Sequence, residues 1–66
     1  MKVRVKNIPL GTESDLGKGV GCILFAGPKM KFIGKEIEVV QRDNTYVCMK
    51  DALMLFTYDW IEFISN

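Results

Sequence analysis

Few side chains in this 66-residue chain could do chemistry, and none of them comes with a partner. There is no histidine, so general acid–base catalysis by imidazole and a structural zinc site of the usual Cys/His type are both excluded. Cys22 and Cys48 are the only thiols, and both lie in apolar runs. A reactive thiolate needs a neighbouring base or cation in an accessible pocket, so the better reading is two buried free thiols packed in the core. Glu36 and Glu38 stand two apart, the spacing of a carboxylate pair, but that spacing is also that of a solvated strand face. Gly17-Lys18-Gly19-Val20-Gly21 is rich enough in glycine to cradle a phosphate, yet no strand–loop–helix context follows that could aim backbone amides at one. The residues therefore predict no enzyme, no metal and no cofactor.

Binding chemistry has better support. The net charge of +1 conceals an asymmetry: residues 1–35 hold seven Lys/Arg against two acids, and residues 36–66 hold two against six. Strands from the two halves of a small β-protein interleave, so cross-strand pairing of opposite charges is expected rather than two electrostatic poles. Lys2, Arg4 and Lys6 alternate with valines and share a strand face that Lys29, Lys31 and Lys35 could extend, a pattern that suits nucleic acid. Against this stands a pI near 7.7, where a dedicated nucleic-acid binder usually exceeds 9. Seven aromatics and several methionines exceed what so small a core can bury, and exposed aromatic and methionine surface is typical of protein-binding hot spots.

The elements that must position these residues are short. Chains of this size bury only about 60% of their unfolded surface, so one frugal domain over residues 1–66 is expected. No apolar run is long enough to span a membrane, and no leader-like segment opens the chain, which predicts a soluble cytoplasmic protein. Lys2 to Lys6 alternates as a half-buried strand. Residues 9–19 carry Pro9, Gly11, Thr12, Ser14, Asp15, Gly17 and Gly19, and are expected to form a long loop. Val20–Phe25 is a strand ended by Ala26-Gly27-Pro28, and residues 29–33 form a lead-in or single turn before Gly34. Glu36–Val39 and Tyr46–Lys50 form a hairpin about Arg42-Asp43-Asn44, with Tyr46–Met49 apolar on both faces. Asp51-Ala52 reverses the chain, Leu53–Phe56 is the next strand, and Ile61–Ile64 closes the sheet. Between these last two, Thr57 is placed to accept a backbone hydrogen bond and start a tight turn through Tyr58 and Asp59 to Trp60.

Met30 and Phe32 ahead of Gly34-Lys35, the hairpin from Glu36 to Met49, and Thr57-Tyr58-Asp59-Trp60-Ile61-Glu62 together resemble the SH3-like barrels, in particular the very small barrels found among phage and prophage proteins of Gram-positive bacteria. The resemblance covers about half the chain. It implies an all-β barrel of about five strands with a single 3₁₀ turn before the last one, and residues 9–19 in the place of the long first loop. It also implies a binding scaffold without naming the ligand. The chain departs from the signalling members of the family in having no aromatic residue in that first loop, and polyproline recognition needs an aromatic-lined groove.

The resulting expectation is a non-catalytic module that binds a host or phage protein. Its binding residues would be Leu10, Glu13, Asp15 and Leu16 of the loop with Phe56, Tyr58 and Trp60 of the last turn. Tyr58 is expected to be the most exposed aromatic, whereas Trp60 and Phe63 are each as readily explained as core. The alternative is nucleic-acid binding through Lys2, Arg4, Lys6, Lys29, Lys31 and Lys35. Self-association through an exposed strand edge, giving a weak homodimer in place of a monomer, is a variant of the first reading.

Overall fold

The computed structural model describes residues 1–51 and 54–65. The alternation of Lys2-Val3-Arg4-Val5 becomes strand β1 (Lys2–Val5), which buries both valines and turns Lys2 and Arg4 to solvent. It is followed by β2 (Glu13–Gly17), β3 (Gly21–Leu24), a single helical turn α1 (Gly27–Met30), β4 (Glu36–Arg42), β5 (Tyr46–Met49), β6 (Leu55–Thr57), a 3₁₀ turn (Tyr58–Trp60) and β7 (Ile61–Ser65). The chain is all-β, with one five-stranded sheet in the order β6-β5-β4-β1-β7 and a separate two-stranded hairpin β2-β3. Every strand pairing is antiparallel. The expected reversal at Asp51-Ala52 and the start of the Leu53–Phe56 strand fall on residues outside those described.

Strand β4 serves two neighbours in turn. Its first half, Glu36–Glu38, pairs with β1, and from Val39 onward it pairs with β5. The register shifts between Val39 and Gln41, so Val40 is the extra residue of a bulge and stands exposed beside buried Val39. A bulge increases local bend and twist, which lets one continuous strand carry both halves of the sheet around a common core.

That core holds Val3, Val5, Phe25, Ile37, Val39, Val47, Met49, Phe56, Trp60 and Ile61. Its centre is aromatic. Phe25 meets Trp60 edge-on at 5.1 Å and Phe56 at 6.3 Å, and Phe32 packs edge-on against Phe56 at 6.3 Å. These are the edge-to-face geometries that ring quadrupoles favour.

Four expectations need correction. Residues 9–19 are not one loop, because Glu13–Gly17 pairs with Gly21–Leu24 as a hairpin. The glycines that suggested a loop supply the positive φ of its tip at Gly17, Gly19 and Gly21 (133°, 80° and 116°), where a side chain would be strained. Cys22 is exposed and not buried, since strand alternation turns Ile23 and Phe25 inward and Cys22 out. Strand β5 is buried on one face through Val47 and Met49, whereas Tyr46 and Cys48 on the other are half-buried. Finally, the 3₁₀ turn is closed by the backbone, with Ile61 N–H donating to the Tyr58 carbonyl, and the Thr57 side chain makes no capping bond. Thr57 points into the core instead, where its hydroxyl has no hydrogen-bond partner among the described residues.

Two stability outcomes follow. Trp60→Ala should cost about 3–5 kcal/mol by the transfer and cavity terms together. Thr57→Val, which keeps the shape and removes an unpaired hydroxyl, should leave stability unchanged or raise it by up to about 1 kcal/mol. Equilibrium denaturant unfolding measures both, and a clear loss in Thr57→Val would mean that the hydroxyl is satisfied after all.

Candidate functional site

The hairpin β2-β3 shares no ladder with the five-stranded sheet, so side chains must hold it in place. At its middle, the Ser14 hydroxyl lies 3.1 Å from Asp59 Oδ2 and donates to it, tying β2 to the 3₁₀ turn. Nearer its tip, the Thr45 hydroxyl donates to the Leu16 carbonyl, while the Thr45 carbonyl accepts from Tyr58 N–H at 3.0 Å. Thr45 thus joins three segments that are remote in sequence: residue 16, the turn between β4 and β5, and the turn before β7.

These ties leave an open cleft of about 400 Å³ walled on one side by Leu16, Gly17, Lys18 and Val20 and on the other by Asp43, Asn44, Thr45 and Tyr46. The second wall is a tight turn closed by Asp43 N–H donating to the Tyr46 carbonyl at 2.8 Å. The Tyr58 hydroxyl donates to the Asp43 carbonyl from behind and steadies the same turn. The lining mixes apolar and polar groups: Val20 is 62% exposed, Leu16 is half-buried, and Tyr46 brings a phenol. The Asp43 carboxylate nearby raises the pKa of the Tyr46 phenol from the ordinary tyrosine value. A second group of side chains adjoins the cleft, where Arg42 lies over the Tyr58 and Phe63 rings at 5.5 and 4.5 Å.

The seven residues expected to bind a protein are distributed unevenly. Leu16 lines the cleft, and Tyr58 braces its wall. Asp15 is exposed and uses Oδ1 to accept from Gly17 N–H at 3.1 Å, shaping the hairpin tip. Glu13 and Leu10 are exposed nearer the hairpin's base, Leu10 ahead of the strand and Glu13 opposite Leu24. Phe56 and Trp60 are 0% and 1% exposed, so their side chains belong to the core and offer no binding surface. Tyr58 is half-buried, and Phe63 is the more exposed ring at 42%, because Tyr58 is held by its hydroxyl while Phe63 lies on the edge strand β7.

The basic residues do not form one surface. Arg4 on β1 lies between two acidic strands and contacts Glu36 at 2.9 Å and Glu62 at 3.8 Å, and the N-terminal amine contacts Glu38 at 3.4 Å. Lys29 donates to the Leu24 carbonyl at 3.1 Å and rests over the Trp60 and Phe56 rings at 5.0 and 5.7 Å. Its partial burial lowers the pKa from the ordinary lysine value. Lys31 covers Phe32 at 5.3 Å, and Lys2, Lys6 and Lys35 are exposed.

Sequence reasoning missed Asp43, Asn44, Thr45 and Tyr46 as site residues because Asp43 and Asn44 announce a turn and Tyr46 opens a strand, with nothing in either pattern to mark a wall of a cleft. It missed Arg42 with Phe63 because 21 positions separate them and only the topology brings them together. Among the described residues no group of three or more His, Cys, Asp or Glu could hold a metal ion, and no helix is long and apolar enough to cross a membrane. No protein family, curated protein or solved structure matches this chain.

The influence of Asp43 on Tyr46 has a pH signature. A phenol whose folded pKa lies above its unfolded value binds the extra proton in the native state, so its contribution to stability is present below the ordinary tyrosine pKa and lost as pH rises through the folded one. In Asp43→Asn the phenolate of Tyr46, followed by ring-carbon NMR, should form at lower pH than in the parent chain. An unchanged titration would show that the carboxylate is not the cause.

Proposed function

We propose that this chain is a non-catalytic protein-interaction module on an SH3-like barrel, and that its partner docks in the cleft between the β2-β3 tip and the β4-β5 turn. The observation that carries this reading is the cleft itself, because two walls remote in sequence are braced by Thr45 and Tyr58 in an arrangement already built before any partner arrives. Preorganisation of this kind lowers the entropic cost of association. The open, mixed lining suits an extended segment or loop of a protein better than an enclosed small molecule, since small-molecule sites bury most of their ligand. Leu16 and Tyr58 come from the two segments in which the sequence pattern locates binding.

The SH3-like assignment is supported by the antiparallel order β6-β5-β4-β1-β7, by the hairpin inserted between β1 and β4, and by the 3₁₀ turn leading into β7. Resemblance to the small phage barrels makes a bacterial host protein the partner, with occlusion of that protein's own surface as the mechanism and the host cytoplasm as the location. The nucleic-acid alternative is disfavoured by the carboxylates that flank β1, which pair with Arg4 and would oppose a polyanion lying along that face.

Position-specific photocrosslinking in host lysate tests the reading. A photoreactive residue in place of Lys18, on the cleft wall, should capture one protein of defined mass irrespective of nuclease treatment, and the same residue in place of Lys2 should not. Tyr46→Ala should reduce the Lys18-site yield by about tenfold or more, the loss expected of an interface anchor. Crosslinks that form only from position 2, or that vanish with nuclease, would transfer the function to the β1 face.

A further inference from the structure

We infer that Arg42 is a preset receptor for a single carboxylate, so that the partner is an acidic protein segment whose Asp or Glu side chain docks beside the cleft. This inference rests on the cleft reading and names the chemistry its partner must present.

Arg42 ends β4 opposite buried Val47, so its side chain leaves the strand on the core side at the sheet's end, where no interior remains to receive it. Its Nε donates to the Tyr58 hydroxyl at 3.0 Å, and the hydroxyl in turn donates a hydrogen bond to the Asp43 carbonyl. The guanidinium carbon lies over Phe63 and Tyr58, which are themselves packed edge-to-face at 5.2 Å. One nitrogen is thereby committed. The terminal nitrogens have no carboxylate within ion-pair distance among the described residues, and the chain's other arginine, Arg4, has two.

A guanidinium resting over two rings, with Nε bonded to a phenol and its terminal nitrogens free of carboxylates among the described residues, has given up part of the rotamer freedom that an arginine normally loses on binding. Its remaining donors match the fork geometry of a carboxylate. Phe63, 42% exposed, supplies the apolar surface beside it, and arginine next to an aromatic ring is a characteristic hot-spot pairing. Charge decides between anions. Asp43 and Lys18 both belong to the cleft wall and offset each other, so Arg42 leaves about one net positive charge there, which one carboxylate matches better than a run of phosphates. The continuity of Arg42 with Asp43 places this receptor at the end of the cleft, within reach of the same bound segment.

The stacking by itself could serve only to cap the end of the core, and the test separates the two roles. A yeast-displayed library of random linear peptides is selected on the full-length chain, and the enriched peptides are measured against Arg42→Met, Arg42→Lys and Tyr46→Ala. The expected result is a shared Asp or Glu whose change to Asn or Gln weakens binding about tenfold. Arg42→Met should lose the same factor with the acidic peptide and nothing further with the amidated one, as a double-mutant cycle requires. Arg42→Lys, which keeps charge and stem without the fork, should lie between, and it carries the test if the methionine variant unfolds. Peptides that need Tyr46 but bind both Arg42 variants as well as the parent would overturn the carboxylate receptor and leave the cleft reading standing. Failure to enrich any Tyr46-dependent peptide would overturn both, as would Arg42-dependent binding of single-stranded oligonucleotides in its place.

Discussion

The edge-to-face contact of Phe25 with Trp60 at 5.1 Å is the interaction on which the remaining structure depends. Phe25 directly follows β3, and Trp60 ends the turn that feeds β7, so one ring pair attaches the separate hairpin to the chain's last strand. Phe56 and Phe32 extend the cluster toward β6 and the segment after α1. Lys29 closes it from outside, laying its ammonium over Trp60 and Phe56 and donating to the Leu24 carbonyl. A chain this short has little apolar area to bury, and it gains most from rings that each contact several segments at once. With Phe25 fixed, the hairpin tip comes to lie against the β4-β5 turn, and the cleft exists because the Thr45 and Ser14 hydrogen bonds hold it there.

Electrostatics follow the same topology. The sequence separates a basic first half from an acidic second half, and the sheet puts them back together by inserting β1 between β4 and β7. Arg4 then faces Glu36 across one ladder and Glu62 across the other. Such exposed pairs contribute little to stability individually. Their effect is on partner choice, because they turn what reads as a cationic strand into a mixed surface. Arg42 is the counterexample: it belongs to the acidic half, lies next to Asp43, and is engaged by rings and a phenol rather than by a carboxylate.

Much of the architecture was legible because period-two alternation survives wherever a strand has one buried face. Lys2–Val5, Glu36–Val39 and Ile61–Ile64 read correctly for this reason, and so did the turn at Asp43-Asn44. Val20–Phe25 was also read as a strand and contains β3, but its partner β2 was not, because the inward position there is Ser14, a polar residue buried through its bond to Asp59, and the bends are made by glycines that also describe loops. Core placement was anticipated for Trp60 and is observed, whereas the half-exposure of Phe63, also expected as core, and the burial of Phe56 were hidden, since alternation assigns a face and not a depth. The site was the least legible part. Of its two walls, only Leu16 was anticipated as a binding residue, and Tyr58 entered for its exposure although it acts as a brace.

The central place of β1 also determines when the chain can fold. Val3 and Val5 emerge first during synthesis, yet β1 is completed only by residues 61–65 of β7, which are made some sixty positions later. Until then one edge of β1 has no neighbour, and Trp60 is absent from the centre of the core. Contacts between sequence-distant strands contribute only after the intervening loop has been closed. A nascent chain that stops short of Trp60 and β7 therefore lacks both the second neighbour of β1 and the largest side chain of the core, so the sheet cannot be completed before β7 is made.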